Sequence, residues 1–202
     1  MEGNRRAATD LQLTFIGVRH VGKTSLLRSY KSGRFDSSQL SDDQQRITIT
    51  EDTVQDIQVD GISYLFRLRD TFLNSFDEYF TSERLFPLQC LNTTALVACY
   101  AVDDRASFMK LREFILLASH FLPPDTPRII VATKIDLRDL TETNSCVSTA
   151  EGRAMSRQMN ANAFVECSAL SGQNLRQAFE EAAKAAVKHR SQIKEKKRCT
   201  IS

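Results

Sequence analysis

The most informative part of this chain is Gly17-Val18-Arg19-His20-Val21-Gly22-Lys23-Thr24, which matches the pattern GxxxxGK[ST] at every defined position. Apolar residues 11–17 predict a strand before it, and residues 24–31 predict a helix after it. The glycines let the backbone curl so that successive N–H groups face a phosphate, the lysine and the helix N-terminus add positive charge, and the threonine hydroxyl suits Mg²⁺. We therefore predict a phosphate loop at residues 17–24. Its candidate ligands are Gly17, Arg19, His20, Val21, Gly22, Lys23, Thr24 and Ser25.

Outside this loop, predicted strands and helices alternate. Strands are predicted at residues 54–59, 62–69, 95–102, 128–133 and 163–167, and helices at 76–90, 105–121, 149–159 and 175–188. The first two of these strands meet at Asp60-Gly61, a dipeptide that tight hairpins prefer. The run at 95–102 is continuously apolar, as in a strand buried on both faces. This order predicts an α/β fold with a six-stranded, mostly parallel sheet, one antiparallel edge strand and about five flanking helices.

Length and composition indicate one folded domain. The chain has 202 residues, of which 42% are hydrophobic and 26% charged, so global disorder is excluded. No run approaches the roughly 20 apolar residues of a membrane span. We expect a flexible N-terminal arm at residues 1–10, the folded domain at 11–190 and a basic tail at 191–202.

Charge is unevenly distributed along the chain. Residues 184–198 carry seven Lys or Arg side chains and one Glu, a net charge of +6, so the other residues total −4 of the chain's net +2. The body offers no wide basic surface, and nucleic acid is therefore not expected as a partner. The basic segment instead suits an anionic membrane.

A second group of motifs follows two later strands. Thr133-Lys134-Ile135-Asp136 ends and follows the strand at 128–133, and Cys167-Ser168-Ala169-Leu170 follows the strand at 163–167. An aspartate there can accept two hydrogen bonds from guanine N1–H and its 2-amino group, a donor pair that adenine lacks. A lysine stem can pack over the flat base, and a backbone N–H can meet guanine O6. Each motif is weak alone, but after a phosphate loop they predict a guanine pocket. Its candidate residues are Thr133, Lys134, Asp136, Ser168, Ala169 and Leu170.

With these motifs the chain resembles the Ras-like small GTPases, and specifically their Rho/Rac branch. The resemblance rests on VDG (59–61), TKIDLRD (133–139), EGR (151–153), ECSAL (166–170) and the final CTIS. It implies the single-domain P-loop GTPase fold, with GTP or GDP and Mg²⁺ as ligands. It also implies that Phe35 stacks near the base, that Thr48 binds Mg²⁺ and senses the γ-phosphate, and that Asp70 contacts Mg²⁺ through water. Thr50 is the rival candidate for the role of Thr48.

Both switch regions depart from the family pattern, so the resemblance is to an atypical member. Where the family reads DTAGQ, this chain reads Asp70-Thr71-Phe72-Leu73-Asn74. Asn74 replaces the glutamine that orients the attacking water. It is one methylene shorter, which makes it a weak or non-functional catalytic residue. Lys23 is the other predicted catalytic residue. Arg19 can crowd the water and an incoming arginine finger, which is worth roughly 10³–10⁵ in rate. Slow GTP hydrolysis is therefore predicted, and Arg19 acting as a finger in cis is the alternative.

The chain ends in Cys199-Thr200-Ile201-Ser202, which fits a C-terminal prenylation box whose final serine favours farnesyl. One lipid gives only marginal membrane binding, so a second signal is needed. The basic tail supplies it, at about 1 kcal/mol per charge near an anionic leaflet. We predict lipidation of Cys199 and a place on the cytoplasmic face of the plasma membrane or of endomembranes such as Golgi or endosome, with a cytosolic pool.

These features predict a membrane-anchored GTP/GDP switch that recruits effectors through its switch regions in signalling, cytoskeletal or membrane-trafficking control. By resemblance, exchange factors, GTPase-activating proteins and dissociation inhibitors are candidate regulators. Two alternatives stay open. One is a normally cycling GTPase assisted by such regulators. The other is a different P-loop enzyme such as a small kinase, against which the guanine motifs and the lipid box argue.

Overall fold

A six-stranded sheet lies at the centre of the computed structural model, which describes residues 11–36, 50–71, 86–139 and 146–199. The strands are β1 (Leu11–Ile16), β2 (Thr50–Val59), β3 (Ile62–Thr71), β4 (Ala95–Ala101), β5 (Arg128–Thr133) and β6 (Ala163–Glu166). They lie in the order β2-β3-β1-β4-β5-β6, and among these described strands only the β2–β3 pair is antiparallel. The predicted mostly parallel sheet with one antiparallel edge strand is confirmed.

Helices flank this sheet and complete the predicted α/β fold. They are α1 (Lys23–Ser32), α2 (Arg105–Ser119), α3 (Thr149–Gln158) and α4 (Leu175–Cys199), and residues 86–90 are also helical. A short 3₁₀ helix, Ile135–Asp139, follows β5. Within the described ranges, no helix is both long enough and apolar enough to cross a membrane.

The sheet divides the core into two layers. Val97 and Cys99 of β4 pack in the layer that contains residues of α1 and α4, whereas Leu96 and Ala98 pack in the layer that contains residues of α2. Successive side chains of a strand point to opposite faces, so a central strand needs apolar side chains at every position. All seven residues of β4 are buried, which accounts for the continuous apolar run in the sequence.

A capping box fixes the start of α3. The Ser148 side chain accepts a hydrogen bond from the Glu151 N–H, and the Glu151 carboxylate accepts one from the Ser148 N–H. Ser148 is therefore the N-cap of α3, directly before the predicted helix start at residue 149. A Cβ on the next residue, Gly152, would lie 2.5 Å from Tyr100 Oη and from Phe164 Cζ. The EGR stretch thus combines a helix cap with a close approach of α3 to the sheet.

Three elements extend two or more residues past one of their predicted ends. β2 and β3 form a ladder from the Val59–Ile62 pair to the Thr50–Thr71 pair, because backbone pairing continues past the apolar positions into polar ones. Helix α4 continues from the predicted end at residue 188 to Cys199, since residues 175–199 contain neither proline nor glycine and are rich in strong helix formers. The predicted basic tail therefore begins as helix. The structure does not describe the predicted arm at 1–10, the polar stretch at 37–46, most of the predicted helix at 76–90 or the last three residues.

Candidate functional site

The phosphate loop connects β1 to α1 at the carboxyl edge of the sheet. Gly17 has φ +145°, and a Cβ there would lie 2.3 Å from the Cys99 carbonyl oxygen of β4, so only glycine allows this approach. Gly22 is the N-cap of α1, with φ 93° and no side-chain cap. The first N–H groups of α1 therefore receive no capping side chain and suit an anionic ligand. Arg19 and His20 are exposed at the mouth of the loop.

Lys23, the first residue of α1, lies inside the phosphate loop. Its side chain is buried, and Nζ donates to the carbonyl oxygens of Gly17 at 2.8 Å and Val18 at 2.9 Å. Burial lowers the pKa of the Lys23 ammonium below its ordinary value, and the nearby Asp70 carboxylate opposes this shift. A phosphate beside this ammonium would supply negative charge where water is excluded. The contact of Lys23 with phosphate that the GK[ST] pattern predicts stays a prediction.

Thr24 and Asp70 meet beside the phosphate loop. The Thr24 hydroxyl donates to Asp70 Oδ2, and Asp70 is 2% exposed near the end of β3. The next residue, Thr71, donates from its hydroxyl to the Phe15 carbonyl at 2.7 Å and so ties β3 to β1. Hydroxyl and carboxylate oxygens are the donors that Mg²⁺ prefers, and the pair therefore fits the ion that the sequence implies.

A cleft of about 190 Å³ opens beside the loop, and we call it the base cleft. It is lined by Gly22, Ser25, Leu26, Phe35, Thr133, Lys134, Asp136, Leu137, Ala169 and Leu170. The Thr133 side chain joins it to the phosphate loop, because its hydroxyl lies within hydrogen-bonding distance of the Val21 and Tyr100 carbonyls. The structure thus brings the two predicted halves of the site together.

Lys134 and Ser168, at the edge of this cleft, are each held in place by contacts with neighbouring residues. Lys134 has a positive φ of 57°, and its Nζ lies 3.5 Å from Asp103 Oδ2. Ser168 is fully buried: its N–H donates to the Gln173 carbonyl at 3.0 Å, and its hydroxyl accepts from the Ser171 N–H at 3.1 Å. Ser168 therefore shapes the loop that presents Ala169 and Leu170 to the cleft.

One contact between the two base motifs was missed by sequence reasoning. Arg138 Nη2 donates to Glu166 Oε1 at 2.5 Å and to the Val147 carbonyl at 2.9 Å. The Thr149 hydroxyl donates to the same Glu166 carboxylate. Arg138 lies two residues after Asp136, and this ion pair ties the 3₁₀ helix to the end of β6. Both residues stand inside motifs that carry the family resemblance, yet nothing in the sequence pairs them.

The structure does not describe the side chains of several predicted site residues. Thr48, Leu73 and Asn74 lie outside the described residues, so their roles stay predictions. Thr50 begins β2, and Cys199 ends α4. Neither side chain is described.

Comparison with known proteins agrees with this geometry. The model of the Ras family matches residues 12–188. The Ras-like GTP-binding protein RhoL of Drosophila melanogaster is 32% identical over 191 residues, covering 95% of this chain and 94% of that protein. The Rho-related GTP-binding protein RhoH of Bos taurus is 32% identical over 180 residues, covering 89% of this chain and 88% of that protein. The GTP-binding protein rho1 of Schizosaccharomyces pombe is 32% identical over 212 residues, with coverages of 96% and 99%. With its phosphate loop and its base motifs in one site, the chain belongs to the Ras family of small GTPases, on the Rho branch, and is a GTP-binding molecular switch that hydrolyses GTP.

Proposed function

We propose that this chain is a Rho-like switch that hydrolyses GTP slowly and recruits effector proteins through its switch regions while GTP is bound. The observation that carries this proposal is the junction of the phosphate loop with the base cleft, with Arg19 exposed at the mouth of the loop. Binding and hydrolysis depend on different residues here. Affinity for GTP can therefore be retained while hydrolysis is slow.

Nucleotide binding in this proposal uses both halves of the site. Lys23, the loop N–H groups and the N-terminus of α1 hold the phosphates. Asp136 accepts hydrogen bonds from guanine N1–H and the 2-amino group, while Phe35 and the Lys134 stem pack against the base. The backbone of Ala169 and Leu170 faces guanine O6. Each of these residues except Lys23 lines the base cleft.

Mg²⁺ fits the oxygen donors beside the phosphate loop. When bound, it would neutralise phosphate charge. Thr24 and Thr48 are the proposed ligands, and Asp70 acts through water. The Thr24–Asp70 hydrogen bond keeps these two oxygen-bearing side chains together.

Slow hydrolysis follows from three side chains in this proposal. Asn74 is shorter than the family's glutamine and reaches the attacking water poorly. Leu73 cannot adopt all the backbone angles that the family's glycine can, so its N–H approaches the γ-phosphate less readily. Arg19 adds bulk on the exposed side of the phosphate loop. Together these changes raise the barrier for attack by water without removing the groups that bind the nucleotide.

The nucleotide that co-purifies with the full-length protein tests this proposal. We expect mostly GTP when the protein is purified quickly and the nucleotide is identified by ion-pair chromatography. The matched control is the variant Arg19→Gly/Leu73→Gly/Asn74→Gln, which should carry mostly GDP. If the parent protein carries mostly GDP, slow hydrolysis is wrong and the chain is a normally cycling GTPase assisted by regulators.

A membrane anchor is the second part of the proposed function. Helix α4 extends from the core to Cys199, and among its side chains described up to Glu195, His189 is the last buried one. Lys194 beyond it is exposed, and three further basic residues precede Cys199. A farnesyl group on Cys199 and this charge would together hold the protein on the cytoplasmic, anionic face of a membrane.

Replacing Cys199 with serine is expected to move most of the protein from the membrane fraction to the soluble fraction, because the remaining charges alone bind weakly. Cell fractionation followed by immunoblotting measures the change. Cys146→Ser, at another cysteine, is the matched control and should fractionate like the parent. Unchanged fractionation of Cys199→Ser would remove the lipid anchor from the proposal.

A further inference from the structure

Arg69 makes contacts that the family resemblance does not explain. It lies in β3 opposite Asp52 of β2, and its side chain is 11% exposed. Nε donates to Asp52 Oδ1 at 2.8 Å and Nη2 donates to Asp52 Oδ2 at 2.9 Å, so the pair is bidentate. This hydrogen bond holds the pKa of the Asp52 carboxyl below its ordinary value. The carboxylate therefore stays charged through the physiological pH range.

The remaining nitrogen of Arg69 contacts the end of the helical residues 86–90. Nη1 lies 3.3 Å from the Leu88 and Gln89 carbonyl oxygens and 3.2 Å from the Leu91 carbonyl oxygen. A cation at a helix C-terminus is favourable, because the last carbonyls of a helix lack backbone partners. One guanidinium thus joins β2, β3 and the end of this helical segment.

The helical segment is itself fixed to the sheet. Phe86 and Cys90 are buried in the core layer that contains α2. The Leu91 carbonyl also accepts a hydrogen bond from Gln12 Nε2 of β1 at 2.8 Å. Arg69 therefore joins the β2–β3 hairpin to residues 86–91, which are themselves packed against the sheet.

Arg69 immediately precedes Asp70, which contacts Thr24 of the phosphate loop. Adjacent side chains of a strand point to opposite faces, so Arg69 faces residues 86–91 while Asp70 faces α1. The two residues share a peptide bond. A shift of β3 that moves the Asp70 carboxylate away from Thr24 must therefore also strain the contacts of Arg69.

We propose that the Arg69–Asp52 pair is a clamp that holds Asp70 in place and thereby slows the release of bound guanine nucleotide. Arg69 is a positioning residue, since it acts through Asp70 and touches neither nucleotide nor Mg²⁺. The proposal rests on the assignment of Thr24 and Asp70 to the Mg²⁺ site. Its effect should accordingly depend on Mg²⁺.

The test measures dissociation of a fluorescent GDP analogue from the full-length protein, with Mg²⁺ and with excess EDTA. In Mg²⁺, Arg69→Met and Asp52→Asn should each speed release at least about fivefold, and the double variant should be no faster than the faster single one. Arg69→Lys, which keeps the charge but loses the bidentate fork, should give an intermediate rate. The matched control is Arg67→Met, at the neighbouring arginine of the same strand. The Arg67 side chain is half exposed, and its Nη1 lies 3.9 Å from Asp52 Oδ2, a longer contact than those of Arg69. This variant should release nucleotide at the parent rate.

The EDTA arm separates positioning from general loosening of the fold. Without Mg²⁺, the parent, Arg69→Met and Asp52→Asn should release the analogue at rates within about twofold of one another. A fivefold difference that persists in EDTA would show general loosening and overturn the proposal, as would a parent-like rate of both Arg69→Met and Asp52→Asn in Mg²⁺. If EDTA does not speed release from the parent, the Mg²⁺ assignment is wrong and the clamp proposal goes with it. A parent protein that does not bind the analogue would instead contradict the proposed nucleotide site.

Discussion

Replacing Asp136 with asparagine is expected to weaken GTP binding by about a hundredfold or more, because one of the two hydrogen bonds becomes a donor–donor contact and the other loses its charged acceptor, where a hydrogen bond to a charged group contributes about 1.5–3 kcal/mol. Asp136 lies in the 3₁₀ helix after β5 and lines the base cleft. An asparagine amide turns one acceptor into a donor, which would face the donors of guanine. Xanthine carries a carbonyl in place of the 2-amino group, so the variant should prefer xanthosine triphosphate.

Competition between GTP and xanthosine triphosphate for the full-length protein measures this change in preference. Asp139→Asn is the matched control, since it makes the same chemical change in the same 3₁₀ helix but outside the TKID motif. It should keep the preference for GTP. If the affinity for GTP survives Asp136→Asn undiminished, the guanine pocket has been assigned to the wrong residues.

Restoring the family's residues in the triple variant Arg19→Gly/Leu73→Gly/Asn74→Gln should speed single-turnover hydrolysis at least about tenfold, which corresponds to about 1.4 kcal/mol in the barrier. The glutamine amide would reach the attacking water, the glycine at 73 would free the backbone, and the glycine at 19 would remove bulk. The affinity for GTP should change little. Lys23 and the loop N–H groups, which hold the phosphates, are untouched.

Single-turnover assays with γ-labelled GTP on the parent and the triple variant measure the rate. His20→Gly alone is the control at the mouth of the loop: His20 has a positive φ of 64°, which glycine adopts without strain. It should hydrolyse GTP at the parent rate. A parent rate equal to that of the triple variant would show that another group, Arg19 or His20, positions the water.

The fold was predictable wherever a local signal was strong. The continuous apolar run of β4, the Asp60-Gly61 turn between β2 and β3, and the start of α3 at Thr149 all lie close to their predicted positions, because each depends on residues adjacent in sequence. The length of α4 was underestimated. Its polar C-terminal part has no apolar periodicity to mark it as helix, although no residue there interrupts the backbone.

The candidate site was predictable in part. The phosphate loop and the base motifs meet around one cleft, as their order along alternating strands indicates. The Arg138–Glu166 ion pair and the contacts of Arg69 were not predicted. An arginine can pair with any carboxylate or carbonyl that the fold brings near, and sequence alone does not rank those partners.

The chemistry of this protein could be predicted from its sequence because the residues that carry it lie in short contiguous motifs. GxxxxGK[ST] places Lys23 and Thr24 at the start of a helix, and TKID places Asp136 just past a buried strand, by local geometry alone. The tertiary structure was needed for every contact that depends on strand order and register. Gly17 must be glycine because the Cys99 carbonyl lies against it. Arg69 can hold Asp70 because the pairing of β2 with β3 places Asp52 opposite Arg69, and because the Arg69 guanidinium also reaches the Leu91 carbonyl. Residue type sets which bonds a side chain can make, whereas only the packed sheet sets which partner lies within reach.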